Sequence, residues 1–294
     1  MSNIKNNFKN FYIKFAYLNT KELIENFAVF EGFELNNITL DNNVFENIKT
    51  IVVQNYHKIK EKFYFDKDKK LILQKLAGGD RKQYSLYRNT KEISQTRGRI
   101  LHKELYQNNI IKKEPTREKI PQREKNRYIK KEFRGYYPED KIKFVKNFDR
   151  FWYTFISPFS DELEQGYKQD CINYIQNGFE KYVSLTFEEL SNELIKEEFF
   201  NLNIVESGGY WNKYTEYDIL AKNKDNRYIL GECKWTNQKI CKNTLRKLQN
   251  KAKNLDFEIV NFALFSKNGF SKSLKKERNI LLFDLSDFRK LYDR

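Results

Sequence analysis

The sequence is poor in the residues that build a disulfide framework or a zinc-finger array. Its 294 residues include 3 Cys and 2 His, too few for either architecture, and reduced thiols are typical of the cytoplasm. With 11 Gly and 4 Pro, collagen-like and linker-rich chains are also excluded. No apolar run approaches the roughly 20 residues of a membrane span, and the polar start lacks the apolar core of a signal peptide. We therefore expect a cytoplasmic protein without a membrane partner.

Aromatic side chains, by contrast, are abundant. The chain has 25 Phe and 19 Tyr, and 39% of its residues are hydrophobic. That supply can fill a packed core, which excludes a disordered chain. The length fits two domains better than one, at about 100–200 residues per domain.

Positive charge is in excess and unevenly distributed. The net charge is +15, which favours an anionic partner, nucleic acid first. AT-rich codon usage also enriches lysine, but it does not concentrate charge, and residues 81–134 contain 17 Lys and Arg against 6 Asp and Glu. This stretch predicts a DNA-binding face; a solvated helix and loop is the alternative. The candidate nucleic-acid-binding residues, including two from a basic helix near residue 246, are Arg81, Lys82, Lys91, Arg97, Arg99, Lys103, Lys112, Lys113, Arg127, Arg246 and Lys247.

The first half of the chain is predicted to be mainly helical. Residues 1–65 form an N-terminal helical region, with a helix that starts in a capping-box-like way at Thr20. Residues 66–158 form a small module with an aromatic linker. Its predicted elements are helices over 69–77, 83–88 and 91–108, an edge over 110–115, a basic loop, and a short segment at 128–129. This order fits a winged helix-turn-helix; a generic helical bundle is the alternative.

The aromatic linker itself spans residues 147–158. We expect its rings to pack the two halves of the chain together. A base-stacking platform is the competing interpretation.

The C-terminal part predicts a mixed α/β fold. A helix over 178–195 has apolar residues at helical spacing, and it precedes three short strands, a basic helix and two further apolar strands. The predicted strands are 203–206, 217–221, 228–235, 258–266 and 279–285. Runs this apolar indicate a sheet buried on both faces.

Two of these strands gather charged groups. The turn at 223–226 predicts a hairpin, and a turn centred on Asp225 sets Asp218 opposite Glu232. Side chains alternate along a strand, so Lys234 shares the face of Glu232 and Cys233 points away. Facing carboxylates repel each other, and a divalent cation removes that penalty. Hard oxygen ligands suit Mg²⁺, with Mn²⁺ as an alternative.

A metal held by Asp218 and Glu232, with the Cys233 carbonyl as a further ligand, could activate water against a phosphodiester. Lys234 could orient that water or stabilise the transition state. The competing interpretation is a surface pair of Glu232 and Lys234 without chemistry. Neither a zinc site nor a Cys233 nucleophile is favoured, because no His lies nearby in sequence.

These motifs resemble the PD-(D/E)XK, or restriction-endonuclease-like, nuclease superfamily. The pattern is closest to the domain of unknown function at the C-terminus of archaeal-type ATPases, together with that family's winged-helix module. The resemblance covers roughly residues 66–294. Its motifs are Gly208-Gly209-Tyr210-Trp211, Glu216-Tyr217-Asp218-Ile219, Glu232-Cys233-Lys234-Trp235 and Phe265-Ser266-Lys267-Asn268-Gly269-Phe270.

The resemblance implies a PD-(D/E)XK nuclease-like domain over 159–294 with Asp218, Glu232 and Lys234 as catalytic residues. The family's helix glutamate would fall on Glu180, which could equally be a surface residue. The family usually carries an ATPase in the same chain, but Gly78-Gly79-Asp80-Arg81-Lys82 is not a P-loop. A separate ATPase subunit is therefore a candidate partner.

The sequence thus predicts a Mg²⁺-dependent DNA endonuclease targeted by a basic winged-helix module. One alternative is a DNA-binding or assembly module that does not use its nuclease fold for catalysis. A third is a regulatory partner of an ATPase that works through protein contacts.

Overall fold

The computed structural model describes residues 4–33, 38–63, 65–88, 92–120, 128, 131–199, 203–253 and 255–293. The chain divides into two compact units. Unit 1 comprises residues 1–63, 159–209 and 217–294, and unit 2 comprises residues 64–158 and 210–216. The boundary after residue 209 runs through a strand, so the tip of one hairpin belongs to unit 2.

Unit 1 is a mixed α/β structure. Its α-helices are α1 (Ile4–Lys14), α2 (Thr20–Phe30), α3 (Val44–Asn47), α4 (Tyr56–Ile59), α9 (Ser160–Glu164), α10 (Gln169–Glu198) and α11 (Lys242–Ala252). A π-helix spans Ile48–Val53, and 3-10 helices span Lys60–Phe63, Leu274–Lys276 and Asp287–Leu291. Its strands, with β3 and β4 meeting at the hairpin tip, are β3 (Ile204–Trp211), β4 (Glu216–Asn223), β5 (Arg227–Lys234), β6 (Glu258–Ser266) and β7 (Ile280–Asp284).

The five strands form one sheet in the order β3-β4-β5-β6-β7. Strands β4 and β5 are antiparallel, whereas β5–β6 and β6–β7 are parallel. The prediction of a mixed α/β fold is therefore confirmed. Leu220 pairs with Leu230 and Lys222 with Tyr228, which confirms the predicted hairpin register.

The 30-residue helix α10 supplies much of the core of unit 1. Phe187 lies 5.0 Å, centroid to centroid, from both Trp235 and Phe288. The Tyr182 hydroxyl donates to the Ala28 carbonyl at 2.8 Å. The N-terminal helices thus pack with the sheet-bearing part of the chain.

The described part of unit 2 contains four α-helices and a small sheet. Its elements are α5 (Lys67–Ala77), α6 (Ser85–Arg88), α7 (Gln95–Gln107), β1 (Ile111–Glu114), β2 (Lys141–Phe144) and α8 (Asn147–Phe151), with a 3-10 helix at Lys131–Phe133, a π-helix at Trp152–Ile156 and the start of a 3-10 helix at Ser157–Phe159. Strands β1 and β2 are antiparallel, with Ile111 opposite Phe144. The edge predicted over 110–115 is β1, but its partner β2 comes later than Tyr128, which lies outside regular secondary structure.

Two local predictions in unit 2 are decided by burial. Phe151, Trp152 and Phe155 of the aromatic linker are at most 4% exposed, so they are packing residues and offer no base-stacking platform. The apolar spacing of the helix predicted over 91–108 places Ile100 on its inward face, but Ile100 is 48% exposed. It lies one residue before the buried Leu101, about 100° round the helix.

None of the helices among the described residues is long and apolar enough to cross a membrane.

Candidate functional site

Asp218 and Glu232 lie on adjacent antiparallel strands, just beyond the Ile219–Gly231 pair. An Asp218 carboxylate oxygen accepts a hydrogen bond from the Cys233 backbone N–H at 2.8 Å. The same hydrogen bond fixes this carboxylate beside the Glu-Cys-Lys segment of β5.

Helix α10 also contacts the strand that carries Asp218. The Asn192 amide donates to the main-chain carbonyl of Asp218 at 3.3 Å and to that of Glu188 at 3.1 Å. Its side-chain oxygen accepts from the Ser207 hydroxyl at 3.0 Å. One asparagine therefore ties α10 to both β3 and β4.

Lys234 and Glu232 form an ion pair, with 2.5 Å between Nζ and Oε1. The Glu232 side chain is 15% exposed and that of Lys234 is 40% exposed. Burial acts to lower the pKa of Lys234, but the Glu232 hydrogen bond and the charges of Glu232 and Asp218 outweigh it and raise the pKa. The raised pKa favours the protonated form of Lys234, which donates hydrogen bonds.

Cys233 points into the core, as the strand alternation predicts, and is 6% exposed. Burial, with the negative charges of Asp218 and Glu188 next in importance, raises the pKa of its thiol well above the usual range. A neutral, buried thiol is a poor nucleophile.

Glu188 is a nearby acid that sequence reasoning missed. Its charge acts on the Cys233 thiol, and it lies one helical turn before Asn192. The structure pairs the predicted Glu180 with Lys267 at 3.0 Å instead, and leaves the Glu180 side chain 48% exposed. The i, i+4 spacing of Glu188 and Asn192 on a long helix was the available signal.

Lys267 belongs to a second charged pair beside the first. Its side chain is 8% exposed and its Nζ lies 5.3 Å from the Trp235 ring centroid. Its backbone N–H donates to the Lys234 carbonyl at 3.1 Å. This contact joins the ends of β5 and β6 around Lys234.

The donor set fits a hard divalent cation. Within the described residues no group of three or more His, Cys, Asp or Glu side chains could hold a metal. Mg²⁺, however, is often held by only one or two carboxylates with waters and substrate phosphates. Asp218 and Glu232 are two carboxylates on adjacent strands and fit that requirement.

The predicted nucleic-acid-binding residues differ in their surroundings. Arg81 pairs with Glu114, Arg97 with Asp66 and Asp68, and Lys113 with Asp140. Arg97 and Lys113 are exposed despite these ion pairs, and Lys82, Arg99, Lys103, Arg246 and Lys247 are exposed as well. Lys112 lies in β1 and is partly exposed; Lys91 and Arg127 lie outside the described residues.

Residues 152–252 match the model of a family described as archaeal and bacterial proteins of unknown function. The match begins in the aromatic linker and extends through α10 and the β3–β5 strands to α11, so it includes Asp218, Glu232 and Lys234. No curated protein and no solved structure matches the chain.

Proposed function

We propose that this chain is a metal-dependent DNA endonuclease of the PD-(D/E)XK type, with unit 2 as its DNA-targeting module. The observation that carries the proposal is the corner at the ends of β4 and β5, where Asp218 lies beside Glu232 and a protonated Lys234. The order α10, β3, β4, β5, α11, β6 supports a restriction-endonuclease-like domain.

In this proposal Asp218 and Glu232 hold Mg²⁺ or Mn²⁺, which would supply Lewis acidity toward the phosphodiester and a lowered pKa of bound water. Lys234 donates hydrogen bonds to the negative charge that develops on the phosphoryl oxygens. Glu188, on the adjacent helix, is the best-placed further acid. Asn192 positions the strand through the Asp218 carbonyl.

Unit 2 supports a winged helix-turn-helix. Helices α5, α6 and α7 are followed by the antiparallel pair β1–β2, the order of that motif. Arg99, Ile100 and Lys103 are exposed on α7, where a recognition helix would present side chains to a groove.

One observation favours the non-catalytic alternative. Lys234 lies 2.5 Å from Glu232, so its ammonium already compensates one carboxylate without a metal. A DNA-binding or assembly module, working with a separate ATPase, could keep this pair as a structural ion pair.

Plasmid cleavage separates the two proposals. We expect the full chain with Mg²⁺ to nick or linearise plasmid DNA, and chelator to stop it. Asp218→Asn and Lys234→Ala should each lower the cleavage rate at least about 100-fold, the order of a lost transition-state donor. Asp225→Asn and Lys224→Ala, the same changes in the exposed hairpin turn, are the matched controls. DNA binding without metal-dependent cleavage would favour the alternative.

A further inference from the structure

Unit 2 contains a pocket that the proposed functions leave without a role. Its volume is about 390 Å³, within the range of small-molecule sites. Its lining includes Lys82, Tyr84, Tyr136, Tyr137, Glu139 and Trp211.

Four aromatic rings line this pocket. Trp211 is 5% exposed, and its indole N–H donates to the Glu139 carbonyl at 2.8 Å. The Tyr136 hydroxyl donates to Glu118 at 2.5 Å. Tyr84 and Tyr137 are 45% and 69% exposed. Two rings are therefore held in place, and two are open to an incoming planar group.

The charges around the rings select against a cationic ligand. The Lys141 Nζ lies 4.5 Å from the Trp211 centroid, and the Lys213 Nζ lies 5.4 Å from the Tyr136 centroid. Lys82 lines the pocket itself. Cation–π positions on two of the rings are thus already taken by the protein's own lysines.

A nucleobase on a sugar–phosphate chain suits these surroundings better. Every base has a π-face that stacks on tyrosine or tryptophan, and Lys82 offers a positive charge to a phosphate. The Glu139 carboxylate can only accept hydrogen bonds, which matches the exocyclic amino group of adenine or cytosine.

We infer that this pocket receives an unpaired base of a nucleic acid strand. The base stacks on the exposed tyrosines, its amino edge faces Glu139 and its phosphate faces Lys82. The inference rests on the DNA binding proposed for unit 2, but not on cleavage.

The test compares two duplexes that differ by one unpaired adenine, with the full chain in chelator so that no strand is cut. Fluorescence anisotropy should show at least about fivefold tighter binding to the duplex with the unpaired base, the lower end expected for one stacking contact. A 2-aminopurine at that position should be quenched on binding.

Variants localise the effect. Tyr137→Ala should abolish the preference, whereas Tyr128→Ala, at a tyrosine that is 83% exposed and belongs to unit 2, should keep it. Glu139→Gln should reduce the preference for unpaired adenine over unpaired thymine.

Each failure has its own signature. Three results would overturn the pocket proposal and leave the nuclease proposal standing. They are equal affinity for both duplexes, a preference for the unpaired base that survives in Tyr137→Ala, and loss of that preference when choline is added. A preference for the unpaired base without metal-dependent cleavage would support the pocket proposal and overturn the nuclease proposal. Failure to bind either duplex would overturn both.

Discussion

Lys234 lies at the end of β5, where burial alone would lower the pKa of its ammonium group. The adjacent Glu232 and Asp218 reverse that effect and raise its pKa. Its pairing therefore suits a donor to a phosphate rather than a proton acceptor, and the two carboxylates are the groups that should respond to metal.

Calorimetric titration of Mg²⁺ or Mn²⁺ into three proteins tests that division of roles. Asp218→Asn should lose metal binding, because one of two ligands is neutralised, while its amide oxygen can still accept from the Cys233 N–H. Lys234→Ala should still bind metal, because an ammonium is not a ligand. Metal-free Asp218→Asn should be no less stable than the wild type, since two like charges no longer face each other. Equal metal affinity in all three proteins would rule out a metal site here.

Single residues also show how much of the local structure could be predicted from the sequence. The pairing of Leu220 with Leu230 follows from the turn and is confirmed. Helix α2 begins at Thr20, as predicted, but its capping residue is Asn19, with a capping box completed by Glu22. Both residue types are good caps, so the pattern leaves one position of ambiguity. The i, i+4 spacing of Glu188 and Asn192 was too weak a signal to favour Glu188 over Glu180, because such spacings recur all along a long helix.

At the scale of elements, Gly231 lets β5 approach its neighbours β4 and β6 closely. A Cβ at this position would lie 3.0 Å from the Ile219 Cβ and 3.5 Å from the Ala263 carbonyl oxygen. Gly231 pairs with both Ile219 and Ala263. It therefore sits where β5 touches its antiparallel and its parallel neighbour, one residue before Glu232.

Gly231→Ala should lower the free energy of unfolding by about 1–3 kcal/mol through overpacking, measured by urea denaturation. Gly208→Ala in β3 is the matched control, because its added Cβ would meet nothing within 4 Å. Similar effects of the two changes would show that the strands relax freely around residue 231.

The strands and the longer helices were predictable because each has a clear apolar pattern. β6 has the predicted bounds, whereas α10 begins nine residues before its predicted start. The helical segment after Val44 is broken into α3, a π-helix and α4. Its apolar stripe at Ile48, Val52 and Ile59 fits one continuous helix equally well, so the breaks could not be read from spacing.

At the scale of the whole molecule, ion pairs determine which basic residues would be available for the proposed DNA contact. Arg97 already contacts Asp66 and Asp68. Arg99 and Lys103 are exposed and form no ion pair with the described residues. Composition located the basic region, but the acids that neutralise part of it come from positions up to 33 residues away along the chain.

Reversing Arg99 and Lys103 to Glu should weaken duplex binding at least about tenfold and reduce the slope of log affinity against log salt by about 2. The double reversal of Lys275 and Lys276, exposed in unit 1, makes the same change in net charge and should have a much smaller effect. Anisotropy over a salt series measures both. Equal losses would mean that only total charge matters.

The division of the chain also bears on how it is made. Lys141, 5% exposed, has its charged and aromatic neighbours, Glu216 and Trp211, in the last segment of unit 2. At about 5–20 residues per second, a ribosome that has finished residue 158 needs roughly 3–12 s more to reach residue 216. During that interval the nascent basic module lacks the indole and the carboxylate that surround this lysine. The enclosure of Lys141 is therefore completed only after the rest of unit 2 and the intervening residues 159–209 have been synthesised.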